Sequence, residues 1–456
     1  MVWGAGRAAA NRLEWAALAG CRVRCFADND PEKWGKKIEG VAVCPPKSIK
    51  DCKCRILIPD LYGEEIGAQL EEMGCQGRKV CFSAFKKEAV CRKEATYSLP
   101  EPEPGRQTCF VFDAYFPGFN WGGVESWSCT VANQLADMGV ETHVACGANK
   151  KFDEYTKNCL HFQEETETGL IRKMAAAIAE RLPCIFLTHG SIALYAARLV
   201  KAKHPDEIQL VAVAHGDERN TYENLQSWSG ELDKIICISR RIQEKFLIQY
   251  KVGKDKLVYR MNPIRIPDAT DGRSRRMGSL KVGFSARLRK EQKRTHLLPE
   301  LIDLCLERGL DIIFSIAGEG ECLELLERYV SDRHLEGRVR LFGWIPPVRM
   351  AEFWGEQDVY LNLSDFEGMS LAMLEAMACG AVPVVTLVSG VEDLVEDGEN
   401  GFVVAVDRWR EAADKLELLC RDRTLLERAG GYNRNLVRAK CDVSDYARWL
   451  RDTFYS

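Results

Sequence analysis

The chain has 456 residues, and a prior of about 150 residues per domain predicts about three domains. Hydrophobic residues make up 46% and charged residues 29%, a globular composition that excludes a disordered chain and a fibrous repeat. The net charge of -4 excludes an overall basic surface, so we expect no nucleic-acid partner.

The cysteines and the apolar segments bear on the cellular compartment. The 19 cysteines are scattered without paired C-x-x-C spacing, so we interpret them as reduced thiols that fill packed interiors. The first residues, MVWGAGRAAANRLEW, lack an apolar segment of signal-peptide type. No later stretch approaches the roughly 18 apolar residues of a membrane span. These features predict a cytoplasmic protein with at most peripheral contact at the inner face of a membrane.

Short apolar strands alternate with helical patterns, which predicts α/β domains with parallel sheets, and the alternation starts three times. The first start is Val2, followed by the turn Gly4-Ala5-Gly6. We predict a small Rossmann-like domain over residues 1–95, with further strands at Arg22–Asp28, Arg55–Ile58 and Lys79–Phe82. An acidic stretch with three prolines then predicts a linker at residues 96–107.

Two larger α/β domains are predicted after this linker, over residues 108–265 and 280–440. A polar, basic stretch between them predicts a hinge at residues 266–279. The tail at residues 441–456 is predicted to be a helix that packs back, because Tyr446, Trp449, Leu450 and Phe454 share one apolar face. The strands predicted in the two domains are Cys109–Phe112, Glu141–Ala145, Cys184–Thr188, Leu210–Ala214, Lys234–Ile238, Leu280–Phe284, Asp311–Ile316, Val339–Phe342, Val359–Asn362 and Val382–Val385.

The third domain contains the most informative stretch, which runs from Ser364 to Val385 as a strand end, a glycine turn, a helix and a buried strand. In open α/β folds, ligands bind at such changes from strand to helix. Gly368 would let the backbone approach a ligand, and the amides of Gly368, Met369 and Ser370 would face a diphosphate at the helix start.

Two glutamates flank this turn, with Glu367 before the helix and Glu375 predicted two turns inside it. By themselves they are more typical of two solvated acids. Together with the Glu-Gly-Met-Ser turn and the Ala-Cys-Gly-Ala-Val-Pro-Val-Val ending, they resemble the E-x7-E motif of retaining GT-B glycosyltransferases. The resemblance implies two facing Rossmann-like domains preceded by a third small α/β domain. It also implies that Glu367 positions the donor sugar and that Glu375 binds ribose.

Further segments carry the same resemblance. Arg287 and Lys293 follow the first strand of the third domain and match the family's diphosphate-binding cations, although the family's glycine is Ala286 here. Gly343, in Leu-Phe-Gly-Trp, matches a strand end near the place where the nucleotide base is held. A solvated basic loop and an ordinary turn are the alternatives for these segments.

The second domain contributes the candidate acceptor side. Gly122 and Gly123 resemble the family's GG-v-E loop, which implies that they lie near the donor's phosphate and sugar. His215 follows a strand where family members often carry a histidine that lines the sugar pocket, so it is a candidate catalytic residue. His189 is the competing choice, and either histidine could instead cap its own loop.

The family mechanism is transfer with retention of configuration, in which leaving-group stabilisation dominates and a covalent carboxylate nucleophile is not assured. The implied partners are a nucleotide-sugar donor and a glycan, lipid-linked or small-molecule acceptor. No cofactor and no metal are expected. The sequence Asp28-Asn-Asp30 has D-x-D spacing, but it is more typical of a turn.

Two other functions compete with sugar transfer. Asp28 stands about 20 residues after the glycine turn, as in NAD-binding domains, so residues 1–95 could hold an NAD-type nucleotide in an oxidoreductase or epimerase. The third glycine and a Tyr-x-x-x-Lys set are missing there, so an accessory or assembly role is favoured. A non-catalytic nucleotide-sugar-binding protein is the second alternative, favoured only if the donor residues were degraded.

Overall fold

A computed structural model describes residues 1–6, 9–50, 53–59, 63–93, 98–115, 122–148, 150–164, 166–267 and 278–455. Three mainly parallel sheets carry helices between their strands, so the predicted α/β fold class is confirmed. The start of the predicted linker and most of the predicted hinge lie outside the described residues. No described helix has both the length and the apolar character needed to cross a bilayer.

The first sheet has six strands in the order β3-β4-β2-β1-β5-β6, parallel except for the β3/β4 pair. Its strands are β1 Val2–Trp3, β2 Phe26–Ala27, β3 Lys37–Ile38, β4 Val41–Cys44, β5 Ile56–Ile58 and β6 Lys79–Cys81. Its helices are α1 Ala9–Leu18, α2 Gly63–Glu72 and α3 Phe82–Lys93.

The strand predicted at Arg22–Asp28 is wrong in length. Only Phe26 and Ala27 form β2, because β1 offers just Val2 and Trp3 as partners before the chain turns at Gly4 with φ +89°. The hairpin of β3 and β4 was not predicted. The short strand β1 therefore limits the length of β2, which pairs with it.

The second sheet has seven strands in the order β13-β12-β11-β10-β7-β8-β9. Its strands are β7 Cys109–Ala114, β8 Thr142–Gly147, β9 Cys159–Phe162, β10 Cys184–Thr188, β11 Ile208–Ala214, β12 Lys234–Cys237 and β13 Leu257–Tyr259. The helices in this part of the chain are α4 Gly123–Asp137, α5 Glu167–Ala179, α6 Ile192–Lys203, α7 Arg219–Ser227 and α8 Arg240–Ile248.

The third sheet has six strands in the order β16-β15-β14-β17-β18-β19. Its strands are β14 Leu280–Ser285, β15 Ile312–Ala317, β16 Val339–Gly343, β17 Val359–Asn362, β18 Val382–Thr386 and β19 Phe402–Val404. The helices are α9 Leu298–Glu307, α10 Leu323–Asp332, α11 Met350–Gly355, α12 Leu371–Ala378, α13 Ala412–Arg421, α14 Arg423–Cys441 and α15 Val443–Phe454.

Packing divides the chain into two compact units. The first comprises Met1–Pro117, Ala145–Asn149 and Leu160–Leu210, and the second comprises Gly118–Val144, Lys150–Cys159 and Val211–Ser456. Inside the first unit, the N-terminal helices pack on α5 and α6. The Trp15 ring lies 5.9 Å from the Tyr195 ring, and the Trp15 indole N–H donates to Glu167 at 2.7 Å. Lys86 pairs with the same carboxylate at 2.5 Å.

Inside the second unit, the apolar core lies around the third sheet, and the C-terminal helix α15 contacts α4. Tyr446, Leu450 and Phe454 are buried, whereas Trp449 is half-buried. The Tyr446 ring meets the Trp127 ring of α4 edge-on, with centroids 5.9 Å apart. Aromatic packing therefore fastens the end of the chain onto the helix that follows Gly122.

Candidate active site

Glu367 lies in the loop between β17 and α12 and is almost fully buried. Its Oε1 lies 2.5 Å from the Lys293 ammonium and accepts the Ser364 hydroxyl at 2.7 Å. The Asn362 amide donates to the same oxygen at 3.5 Å. A buried carboxylate needs such partners to offset the loss of water, and here they also fix its orientation.

The Lys293 loop is held against the Glu367 loop by backbone and charge contacts. The Asp365 N–H donates to the Gln292 carbonyl at 2.8 Å, and Arg294 pairs with Asp365 at 3.2 Å. Gln292 and Arg294 both adopt positive φ, +63° and +49°, which is uncommon for residues with side chains. The two loops thus form one rigid arrangement that brings Lys293 to Glu367.

Arg287 lies against the start of α4. A methyl group built on Gly122 would come within 2.0 Å of the Arg287 Nη2 atom, so a side chain at position 122 would displace the guanidinium. The Gly122 N–H donates to the buried Glu125 carboxylate at 2.8 Å, which caps α4. A methyl group on Gly123 would lie 3.8 Å from Leu371 of α12. Within the second unit, Gly122 and Gly123 therefore lie close to Arg287 and to the start of α12.

The structure gives a reason for glycine at position 368 that the sequence did not indicate. A methyl group at Gly368 would lie 1.9 Å from the His215 carbonyl oxygen, so the glycine makes room for the backbone at the end of β11. His215 follows β11 directly, and its ring packs edge-on against Trp127 with centroids 5.3 Å apart. The contact brings the candidate histidine's backbone to the donor turn, and its catalytic role remains a prediction.

The start of α12 is also different from the prediction. Ser370 is the N-cap, and its hydroxyl accepts from the Met373 N–H at 3.3 Å and lies 2.9 Å from the Tyr360 hydroxyl. The helix starts at Leu371, so the first helical amides belong to residues 371 and 372 rather than 368–370. Met369 is buried, and its carbonyl accepts the Asn262 amide at 3.2 Å.

Glu375 lies one turn inside α12, not two, because the helix starts later than predicted. It is half-buried, and burial raises its pKa to about 7. The Trp354 indole N–H partly opposes this rise in pKa, although the contact does not meet the geometry of a hydrogen bond. The carboxyl group therefore changes charge near neutral pH.

Gly343 and His189 take no part in the contacts described above. Gly343 ends β16 at the sheet edge, with β15 and β14 between it and β17, and its φ of +63° favours glycine. His189 belongs to the first unit, next to Thr188, whose hydroxyl donates to the buried Asp113 carboxylate at 3.0 Å. The segment at residues 116–121, which completes the GG-v-E loop, lies outside the described residues.

The carboxylate of Asp28 is hydrogen-bonded within the N-terminal domain. Its carboxylate accepts the Ala5 N–H at 2.7 Å and the Asp30 N–H at 2.9 Å, and Lys33 lies 3.3 Å away. Burial raises the pKa of Asp28, but these hydrogen bonds outweigh burial and lower it. NAD binding by this domain remains a prediction.

Sequence reasoning missed several residues that support the site: Tyr360, Asn362, Ser364, Glu125 and Asn262. The Asn362 amide donates to the Tyr360 hydroxyl at 2.9 Å, which links Glu367 to the Ser370 cap. The available signal for Asn362 and Ser364 was a polar residue at the end of the apolar strand β17 and another two positions later. Asn262 meets Met369 over 107 residues, and no local pattern indicates such a contact.

Two family models match the chain, one described as glycosyl transferases group 1 over residues 270–436 and one as glycosyltransferase family 4 over residues 121–266. Together the two matches extend almost continuously from residue 121 to residue 436, and both families are described as glycosyltransferases. The two matched regions contain every predicted site residue, including the loops that bring Lys293 to Glu367. The retaining mechanism and the N-terminal domain lie beyond what these matches cover.

Two curated relatives align with this chain over part of their length. WcaL of Escherichia coli (strain K12), which its name assigns provisionally to colanic acid biosynthesis, is 30% identical over 41% of the chain and 44% of WcaL. A poly(ribitol-phosphate) alpha-N-acetylglucosaminyltransferase of Staphylococcus aureus (strain COL) is 29% identical over 35% of the chain and 32% of that protein. The chain thus spans less than half the length of both relatives.

The fold is similar to solved GT-B glycosyltransferases. A mutant of S. aureus TarM, crystallised with fondaparinux, alpha-GlcNAc-glycerol and UDP, superposes with a TM-score of 0.65. The two chains are 14% identical, and the match covers 77% of this chain and 100% of TarM. The predicted GT-B architecture is confirmed at the level of the fold.

Proposed function

We propose that the protein transfers a hexose from a nucleoside-diphosphate sugar to an acceptor hydroxyl, with retention of anomeric configuration and without a metal ion. The observation that carries this proposal is the Lys293–Glu367 ion pair, at 2.5 Å, in the loop where the E-x7-E motif starts. Arg287 lies against Gly122 in the same compact unit. Two cations and an oriented carboxylate are the groups that such a reaction needs.

In the proposed reaction, Arg287 and Lys293 neutralise the diphosphate as the bond between the anomeric carbon and the phosphate oxygen breaks. The acceptor hydroxyl attacks the anomeric carbon on the face from which the diphosphate leaves, and its proton passes to the departing phosphate oxygen. Glu367 orients Lys293 and positions the sugar, and Glu375 accepts hydrogen bonds from ribose hydroxyls. His215 lines the sugar pocket. Because the protein's cations stabilise the leaving group, the reaction has no need of a divalent ion.

For the substrates, we propose a UDP-sugar donor and an acceptor in the synthesis of a surface polysaccharide or glycoconjugate, in the cytoplasm. UDP is named in the TarM structure, and the S. aureus relative is named for transfer of N-acetylglucosamine. The name of WcaL refers to a polysaccharide. These names make UDP-N-acetylglucosamine the first donor to test.

The test is a panel of UDP-, GDP- and ADP-sugars, with calorimetry for binding and nucleotide release for turnover. We expect one donor to bind and to be hydrolysed or transferred, and Glu367→Ala to abolish turnover. Glu324→Gln is the control, since Glu324 is an exposed acid on α10. Activity should persist in EDTA, and the product's anomeric coupling in NMR should match the donor's. If no donor binds the wild-type protein, the proposal fails.

A further inference from the structure

The segment Ser389–Asp393, which follows β18, docks on the N-terminus of α8. The Ser389 and Ser239 hydroxyls lie 2.6 Å apart, and both side chains are buried. The Arg240 N–H, at the first helical position, donates to the Asp393 carboxylate at 3.0 Å. A negative charge at a helix N-terminus is favourable, because the first amides carry partial positive charge.

The two acidic residues of this segment, Asp393 and Glu392, differ in burial. The Asp393 side chain is 1% exposed, whereas Glu392 and its partner Arg241, 2.6 Å apart, are 36% and 32% exposed. A hydrogen bond to a buried charge contributes more than a surface ion pair, which water screens. Asp393 is therefore the strong attachment point, and Glu392 offers a matched control beside it.

The segment also touches the turn at residues 368–370, called here the donor turn. Gly390 has φ +82°, and a methyl group built on it would lie 2.7 Å from the Gly368 carbonyl oxygen and 2.9 Å from the Met369 Cα. Both are backbone atoms, which cannot avoid the methyl group by a change of rotamer as a side chain can. The segment's backbone therefore packs directly on the donor turn, and a shift of one requires a shift of the other.

We propose that Asp393 is a positioning residue for the donor site. Its hydrogen bond to the N-terminus of α8 fixes the Ser389–Asp393 segment, and through Gly390 the segment fixes the donor turn next to Glu367. Asp393 touches no reacting atom. The inference rests on the proposed function, since the turn matters to catalysis only if a nucleotide sugar binds there.

The test compares Asp393→Ala, Asp393→Asn and the control Glu392→Gln. Asn keeps an oxygen that can accept from the Arg240 N–H, so it should rescue the positioning that Ala loses. For Asp393→Ala we expect the KM for the sugar nucleotide to rise about tenfold with a smaller change in kcat, because a displaced turn weakens donor binding. Asp393→Asn and Glu392→Gln should stay within about threefold of wild type.

Hydrogen exchange in the protein without donor provides the second measurement. Amides in residues 365–374 should exchange faster in Asp393→Ala than in wild type, and at the wild-type rate in Glu392→Gln. Unchanged exchange and unchanged KM in Asp393→Ala would overturn the inference, even if that variant melts at a lower temperature. A wild-type protein that binds no sugar nucleotide overturns the proposed function and the positioning role, whereas faster exchange would then report only a structural link.

Discussion

Glu375→Gln tests the electrostatic environment of the donor helix. The pKa of Glu375 rises from an ordinary value of 4.5 to about 7 because the folded protein buries the carboxyl group. Between these two pH values the folded state keeps a proton that the unfolded state releases. Stability must therefore fall as pH rises through this window, and the loss is complete above pH 7.

The magnitude follows from the size of the shift in pKa. Each pKa unit corresponds to about 1.4 kcal/mol, so a shift from 4.5 to about 7 sets an upper bound of about 3 kcal/mol. Because Glu375 is only half-buried, water screens part of this free energy, and we expect a contribution to stability of about 2 kcal/mol. Glutamine has nearly the same shape and no charge, so the variant should gain this free energy over wild type at pH 8 and little at pH 5.

The assay is urea unfolding followed by tryptophan fluorescence, for wild type and Glu375→Gln at pH 5, 6, 7 and 8. The difference in unfolding free energy between the two proteins should grow by about 2 kcal/mol across this series. Glu352→Gln, at an exposed ion pair on α11, is the control and should track wild type at every pH. A constant difference from pH 5 to pH 8 would refute the reasoning.

Three further substitutions test individual contacts. Gly368→Ala should destabilise the protein by about 2 kcal/mol in urea unfolding, because its methyl group would lie 1.9 Å from the His215 carbonyl; Gly6→Ala, which meets nothing within 4 Å, should be neutral. Gly122→Ala should instead raise the donor KM with little change in stability, since the methyl group meets only side-chain ends, Arg287 Nη2 at 2.0 Å and Glu125 Oε2 at 3.1 Å, and an unchanged KM would contradict this. Glu167→Ala should loosen the N-terminal domain and speed its proteolysis, because Lys86 and Trp15 lose a shared partner, and equal cleavage rates would argue against that role.

Most central strands could be predicted from the sequence, whereas most edge strands could not. β7, β10 and β17 are buried throughout and are mainly apolar, with a polar residue only near the end. Of the missed strands, β3, β9, β13 and β19 lie at a sheet edge, and β4 is the neighbour of β3. An edge strand pairs on one side only and is often partly exposed, so its residues carry a weaker apolar pattern than those of a central strand.

The candidate site contains some residues that local sequence motifs indicated and others that only the structure showed. Glu367, Arg287 and Lys293 belong to local motifs, so spacing and resemblance were enough to select them. The contacts that hold these residues join segments 107 residues apart at Asn262–Met369 and 150 apart at Ser239–Ser389. Spacing within a motif has no information about such distant partners, so the supporting residues had to come from the structure.

Gly368 shows that one glycine in a motif can have more than one structural reason. A glycine after a strand can make room for a ligand or for another backbone, and both causes leave the same residue in the sequence. A methyl group built on Gly368 would lie 1.9 Å from the His215 carbonyl oxygen, so backbone packing by itself favours glycine here. Donor binding by the Gly368 amide stays a prediction.

The hydrogen bonds of Glu367 limit the role that its carboxylate can have in the reaction. Lys293, Ser364 and Asn362 all donate to one oxygen, Oε1, so the carboxylate is oriented before any donor arrives. Breaking a buried, charged hydrogen bond during the reaction would cost free energy at the step that catalysis must make easier. Keeping the three bonds intact avoids that cost. We therefore expect Glu367 to act by holding Lys293 and the sugar in place, with the cations stabilising the leaving diphosphate.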